Sequence, residues 1–179
     1  MTTAQTPERT GLVTFRGTPM TLVGPALRPG DPAPDFRLTT GSLQPFTLEE
    51  AIDGGKRSAL FIAVPSLDTP TCHIEATTFH QRLGEVSGTN AVYVVSMDLP
   101  FGQTRWATAN NAATLSYLSD YRDRSFGANY GILLKELGLL TRANFVVSKD
   151  RTISYVEIVA EVATQPNYDA TLAALNALA

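Results

Sequence analysis

The chain has 179 residues, enough for one domain with a real core. Hydrophobic residues make up 44% and charged residues 17%, an ordinary globular mix, and a net charge of −3 gives no electrostatic case for nucleic-acid or membrane-surface binding. A single Cys excludes an intrachain disulfide and a multi-cysteine metal site, and it fits a reducing compartment. Met1 to Thr10 is polar, contains Pro7 and lacks a signal-peptide pattern. No apolar run approaches the roughly 18 residues of a membrane span. The expected location is the cytoplasm.

In chain order, residues 1–10 read as a flexible tail, with a single domain over 11–179. Leu12–Phe15 and Met20–Val23 flank Arg16-Gly17-Thr18-Pro19 and predict an N-terminal β-hairpin. Gly30-Asp31-Pro32-Ala33-Pro34-Asp35-Phe36 is extended loop, because proline continues neither a ladder nor a helix interior. Phe46–Ile52 predicts a short helix. Ala59–Val64 and Ala91–Val95 are nearly continuous apolar runs, the pattern of strands buried on both faces. Between them Cys72, Ala76, Phe79, Leu83 and Val86 recur at spacings of 4, 3, 4 and 3, an apolar helical stripe. This is a βαβ unit. A helix near Phe101–Ala109, a strand near Leu115–Leu118 and a helical turn over Phe126–Ile132 follow. Phe145–Val147 and Ile153–Val159 surround Lys149-Asp150-Arg151 and predict an antiparallel hairpin. Pro166-Asn167 opens a last helix with Tyr168, Leu172 and Leu175 on one face. The fold class is α/β, with a central mixed sheet flanked by helices.

The most informative segment is Pro65-Ser66-Leu67-Asp68-Thr69-Pro70-Thr71-Cys72. Thr69 is a good N-cap, and Pro70 suits the first helical position, where its missing N–H is no loss. Cys72 then falls in the first turn, where free N–H groups and the positive end of the helix dipole favour a thiolate. Helix N-termini and nearby cations lower thiol pKa values from near 8.5 to roughly 3.5–7.5. The loop after a buried strand is also where open α/β sheets place ligands. By composition alone, a lone Cys on an apolar stripe is more often a small buried hydrophobe.

Pro65-x-x-x-Thr69-x-x-Cys72 resembles the active-site pattern of peroxiredoxins, and Gly30–Phe36 resembles the segment that opens their thioredoxin-like domain. Pro65-Ser66-Leu67-Asp68-Thr69 is similar to one subgroup, the bacterial thiol peroxidases. So are Asp98-Leu99-Pro100-Phe101 with Gln103 and Arg105, the strand entry at Arg142, Thr164-Gln165-Pro166-Asn167-Tyr168 and the N-terminal hairpin. The likeness covers roughly residues 11–179. It implies a thioredoxin-like fold, reduction of hydrogen peroxide and organic hydroperoxides, and a homodimer. It also implies site roles. Cys72 would be the peroxidatic nucleophile and become sulfenic acid. Thr69 would hydrogen-bond the thiolate and the peroxide. Arg142 would stabilise charge on sulfur and on the peroxide oxygens. Pro65 would shape the substrate pocket.

One departure stands out. Thiol peroxidases usually carry a resolving cysteine in the helix after Asp-Leu-Pro-Phe, and Ala107 stands where it is expected. Cys72 must then be restored by an outside thiol: thioredoxin, glutaredoxin or a small thiol. Otherwise it is exposed to further oxidation. A natural one-cysteine enzyme and a chain whose resolving cysteine was replaced by Ala107 would read alike. The rival reading is a redox-sensing interaction module without turnover. A dithiol–disulfide reductase needs Cys-x-x-Cys, and Thr69 occupies the first of those positions. His73 and His80 are two turns apart, about 10 Å of rise, too far to share a metal alone. No phosphate-binding loop or dinucleotide fingerprint is present, so neither metal nor cofactor is expected. Asp68 is expected to organise the loop. Glu75 is expected to pair with a base or stabilise the helix N-terminus, and Trp106 to pack near the pocket or at a dimer contact.

Overall fold

The N-terminal hairpin joins β1 (Glu8–Phe15) to β2 (Thr18–Val23) in the computed structural model, which describes residues 6–179. Its turn, Arg16-Gly17, has φ of 51° and 77°. Tight two-residue hairpin turns need such left-handed angles, and Gly17 adopts them without steric cost. Glu8 already pairs with Val23, so the strand takes up the last part of the expected tail. Arg9 anchors this extension by donating from Nε to the Gly24 carbonyl at 3.1 Å. The expected tail at residues 1–5 lies outside the described residues.

The chain continues through β3 (Leu38–Thr39), β4 (Pro45–Phe46), α1 (Leu48–Ala51), β5 (Ala59–Ala63) and α2 (Pro70–Gln81). Next come β6 (Ala91–Ser96), α3 (Pro100–Ala109), β7 (Ser116–Ser119) and α4 (Ser125–Asn129). The last elements are β8 (Leu133–Leu134), β9 (Leu139–Leu140), β10 (Ala143–Val147), β11 (Ile153–Ile158) and α5 (Tyr168–Asn176).

The central sheet has the order β11-β10-β5-β6-β7-β3-β4. Its middle strands β5, β6 and β7 are parallel and linked through α2 and α3, and its outer pairings are antiparallel. Strand period sorts β5 between two layers. Leu60 and Ile62 face Ala76, Phe79, Trp106, Leu172 and Leu175 of α2, α3 and α5. Phe61 and Ala63 face Leu48 of α1, Phe126 of α4 and Tyr130 just after it. Both faces are dry, which is why β5 reads as an unbroken apolar run. Each fully buried Leu, Ile or Phe there contributes about 1.5–3 kcal/mol.

Several boundaries differ from expectation, each for a local reason. Helix α1 starts at Leu48 because Thr47 and Glu50 form a capping box. Helix α2 ends at Gln81, and Leu83–Glu85 tightens into a 3₁₀ turn around Gly84, a poor helix former. The short strands β3, β4, β8 and β9 have two residues each, too few to show a period. Strands β8 and β9 extend the hairpin into a second sheet, β1-β2-β8-β9. No helix among the described residues is long and apolar enough to cross a membrane.

Candidate active site

Helix α2 begins as its sequence dictates. Thr69 is the N-cap in extended conformation, and Pro70 takes the first turn. The Thr69 hydroxyl accepts from the Cys72 N–H at 3.4 Å and donates to the Ser66 carbonyl at 3.0 Å. Cys72 is fully buried. The loop before it is tied to the end of β6. Asp98 accepts from Ser66 Oγ at 2.7 Å, from the Leu67 N–H at 2.8 Å and from Ser96 Oγ at 2.8 Å. Gln103 Nε2 donates to Ser96 Oγ at 3.0 Å and completes the chain. Asp98 is therefore the loop organiser that Asp68 was expected to be. Asp68 is exposed, 3.5 Å from Arg105.

Arg142 arrives from the opposite side. It precedes β10, whose first residue Ala143 pairs with Ala63 at the end of β5. That register sets Arg142 beside the start of α2. Its Nη2 donates to Cys72 Sγ at 3.3 Å, its Nε donates to the Val162 carbonyl at 3.0 Å, and its Nη1 donates to Glu75 Oε2. Both members of the Arg142–Glu75 pair are buried. Glu75 Oε1 has no partner among the described residues. The base expected for Glu75 is thus Arg142, and the pair lies inside the protein. The sequence signal was the three-residue offset from Cys72, which puts both on one helix face.

Burial pushes the Glu75 carboxyl up to about 7, with Arg142 offsetting part of the rise. Burial alone would lower the Arg142 guanidinium, but Glu75 and Cys72 outweigh it and the net shift is upward. From its ordinary value of 4.5 up to about 7, Glu75 keeps a proton in the fold that the unfolded chain has released. Its contribution to stability is complete below that window and is lost as pH rises through it. Urea midpoints of the wild-type protein should fall across this range relative to Glu75→Gln, which cannot titrate. Parallel profiles would overturn the assignment.

Pro65, Thr69 and Arg142 line a cavity of about 250 Å³. Its other walls include Phe15 and Arg16 of the hairpin, with Leu134, Leu137, Leu139 and Val162. Thr69 and Arg142 face the cavity, but of the two only Arg142 bonds the Cys72 sulfur; the Thr69 hydroxyl, expected at the thiolate, accepts from the Cys72 backbone N–H and gives its proton to the Ser66 carbonyl. Trp106 packs in the α2–α3 layer, its ring 5.4 Å from that of His73. His80 instead meets Thr114 Oγ1 at 2.9 Å. Ala107 is buried in the same apolar layer as Cys72.

The Redoxin family model matches residues 28–172 of the chain, which contain both Cys72 and Arg142. The thiol peroxidase of Clostridium acetobutylicum is 45% identical over 165 residues, spanning 92% of this chain and 98% of that protein. The thiol peroxidase of Bacillus subtilis is 40% identical over 93% of this chain and 97% of its own. A peroxiredoxin-like protein from Aquifex aeolicus superposes with a TM-score of 0.84 at 36% identity, covering 98% of both chains. The chain belongs to the thiol peroxidases of the Redoxin family. Its fold is thioredoxin-like, with the mixed sheet and N-terminal hairpin expected, and membership favours an enzyme over a redox-sensing module.

Proposed function

We propose that Cys72 is the peroxidatic nucleophile with which this thiol peroxidase reduces hydrogen peroxide and organic hydroperoxides. The observation that carries the reading is the Arg142 donor 3.3 Å from Cys72 Sγ, in the first turn of α2. The thiolate attacks the terminal peroxide oxygen, the O–O bond breaks, and an S–O bond forms. Cys72 becomes sulfenic acid, and the alkoxide or hydroxide that leaves takes a proton from water. Negative charge spreads along S–O–O in the transition state, so a fixed guanidinium lowers the barrier. The Thr69 hydroxyl already donates to Ser66 and accepts from Cys72, and its second lone pair can accept from the peroxide O–H. Pro65 adds an apolar wall that limits water.

Regeneration consumes two equivalents of an external thiol. The first displaces water from the sulfenic acid and leaves a mixed disulfide. The second releases the Cys72 thiol and an oxidised donor. Cys72 being the only cysteine supports this route, with thioredoxin or a small thiol as donor. The enzyme acts in the cytoplasm as a homodimer. Ile74 of α2, Leu99 at the N-cap of α3 and Phe101 of α3 are exposed apolar side chains, and they offer a surface for pairing.

Stopped-flow mixing with hydrogen peroxide or cumene hydroperoxide tests the nucleophile, with mass spectrometry of the product. One added oxygen on Cys72 is expected at equimolar peroxide, and two in excess without reductant. With thioredoxin, its reductase and NADPH, consumption should continue. Reaction no faster than that of free cysteine at the same pH would overturn the reading.

A further inference from the structure

The cavity beside Cys72 is lined by Thr69 and Arg142, which both touch the cysteine, by Pro65, and by Leu134, Leu137, Leu139 and Val162, which make it apolar. Arg16 lines it as well, and its side chain is exposed. The Arg16 guanidinium sits 5.5 Å from the centroid of the Phe15 ring, itself a wall residue. It pairs with no carboxylate among the described residues.

The turn that carries Arg16 is fixed. Glu161 accepts from the Arg16 N–H at 2.9 Å, the Gly17 N–H at 3.0 Å, Thr14 Oγ1 at 2.8 Å and the Ala163 N–H at 2.9 Å. These bonds commit the Glu161 carboxylate to backbone and hydroxyl donors, and the guanidinium of Arg16 has no hydrogen-bond acceptor among the described residues. Arg16 also holds a left-handed φ of 51°, a conformation in which Gly, Asn or Asp is usual. The fixed turn therefore holds an exposed guanidinium against the cavity.

We propose that Arg16 is a specificity-determining residue, favouring hydroperoxides with a carboxylate at the end of an apolar chain over neutral ones of the same chain. The proposal rests on Cys72 being the peroxidatic nucleophile. The hydroperoxide group lies against Thr69 and Arg142, the chain runs along the leucines, and the carboxylate leaves the cavity where Arg16 meets it. Arg16 is exposed and Glu161 offsets part of its field, so the preference is modest. It should amount to about three- to fivefold in kcat/KM, shrinking as salt is added.

The test compares a hydroperoxy fatty acid with its methyl ester, both below their aggregation limits, with tert-butyl hydroperoxide as a neutral reference. The wild-type enzyme should prefer the acid, and the acid-to-ester ratio should fall toward one in Arg16→Asn and be kept in Arg16→Lys. Asparagine tolerates the left-handed turn, so the hairpin is retained. A ratio near one in wild-type protein that consumes tert-butyl hydroperoxide would overturn the proposal. Protein that consumes none of the three would instead overturn the reading of Cys72.

Discussion

Arg142→Met is expected to slow the reaction of Cys72 with peroxide by about 10²–10³-fold, the usual cost of removing one preorganised charge-stabilising donor. Methionine keeps much of the length but none of the charge or donors. The sulfur loses the donor at 3.3 Å, and Glu75 loses its only partner among the described residues. An unpaired buried charge typically costs about 3–5 kcal/mol. Glu75 can escape part of that cost by holding its proton, so the deficit should grow with pH. Stability and catalysis can then be separated. Adding Glu75→Leu to Arg142→Met removes the stranded carboxyl, so urea stability should recover while the rate stays low. If Arg142→Met kept its rate within severalfold, or the double variant recovered activity, the role of Arg142 at the sulfur would be wrong.

Cys72→Ser should abolish peroxide consumption outright. Serine is nearly isosteric and the site is buried, so the fold should persist, with a change in stability on the order of 1 kcal/mol. The hydroxyl keeps its proton at neutral pH and is a weak nucleophile without an adjacent base. The buried carboxyl one turn along α2, Glu75, is turned to Arg142 rather than to Cys72. Intact mass after peroxide should show no cysteine oxidation, because the wild-type chain has only one cysteine. Consumption by Cys72→Ser above the protein-free rate would place the chemistry elsewhere.

The features legible in the sequence are those built from neighbours along the chain. The Thr69-Pro70 cap needs only the four consecutive residues Thr69 to Cys72, the last of which supplies the N–H that Thr69 accepts, and α2 starts where it says. The unbroken apolar run of β5 announces a strand covered on both faces. The Arg16-Gly17 hairpin follows from turn chemistry between two apolar segments. Boundaries drifted where a capping box or a glycine overrode the apolar pattern, as at Leu48 and Gly84. Two-residue strands such as β8 and β9 left no periodicity to find, although they supply Leu134 and Leu139 to the cavity.

The contacts that make the cysteine a site join distant parts of the chain. Arg142 lies 70 residues from Cys72 and 67 from Glu75, and no local pattern relates them. Family motifs singled out Arg142, but only the antiparallel register of β10 on β5 sets it at the sulfur. The local sequence points to Asp68 as the residue that orders the loop, and only the approach of the end of β6 gives that role to Asp98 instead. By itself, the sequence determined that one cysteine sits in the first turn of a capped helix and that no second cysteine can close a disulfide with it. Tertiary structure decided the charges around that cysteine, because burial and pairing depend on which strands lie side by side, and that is not encoded in any short window of residues.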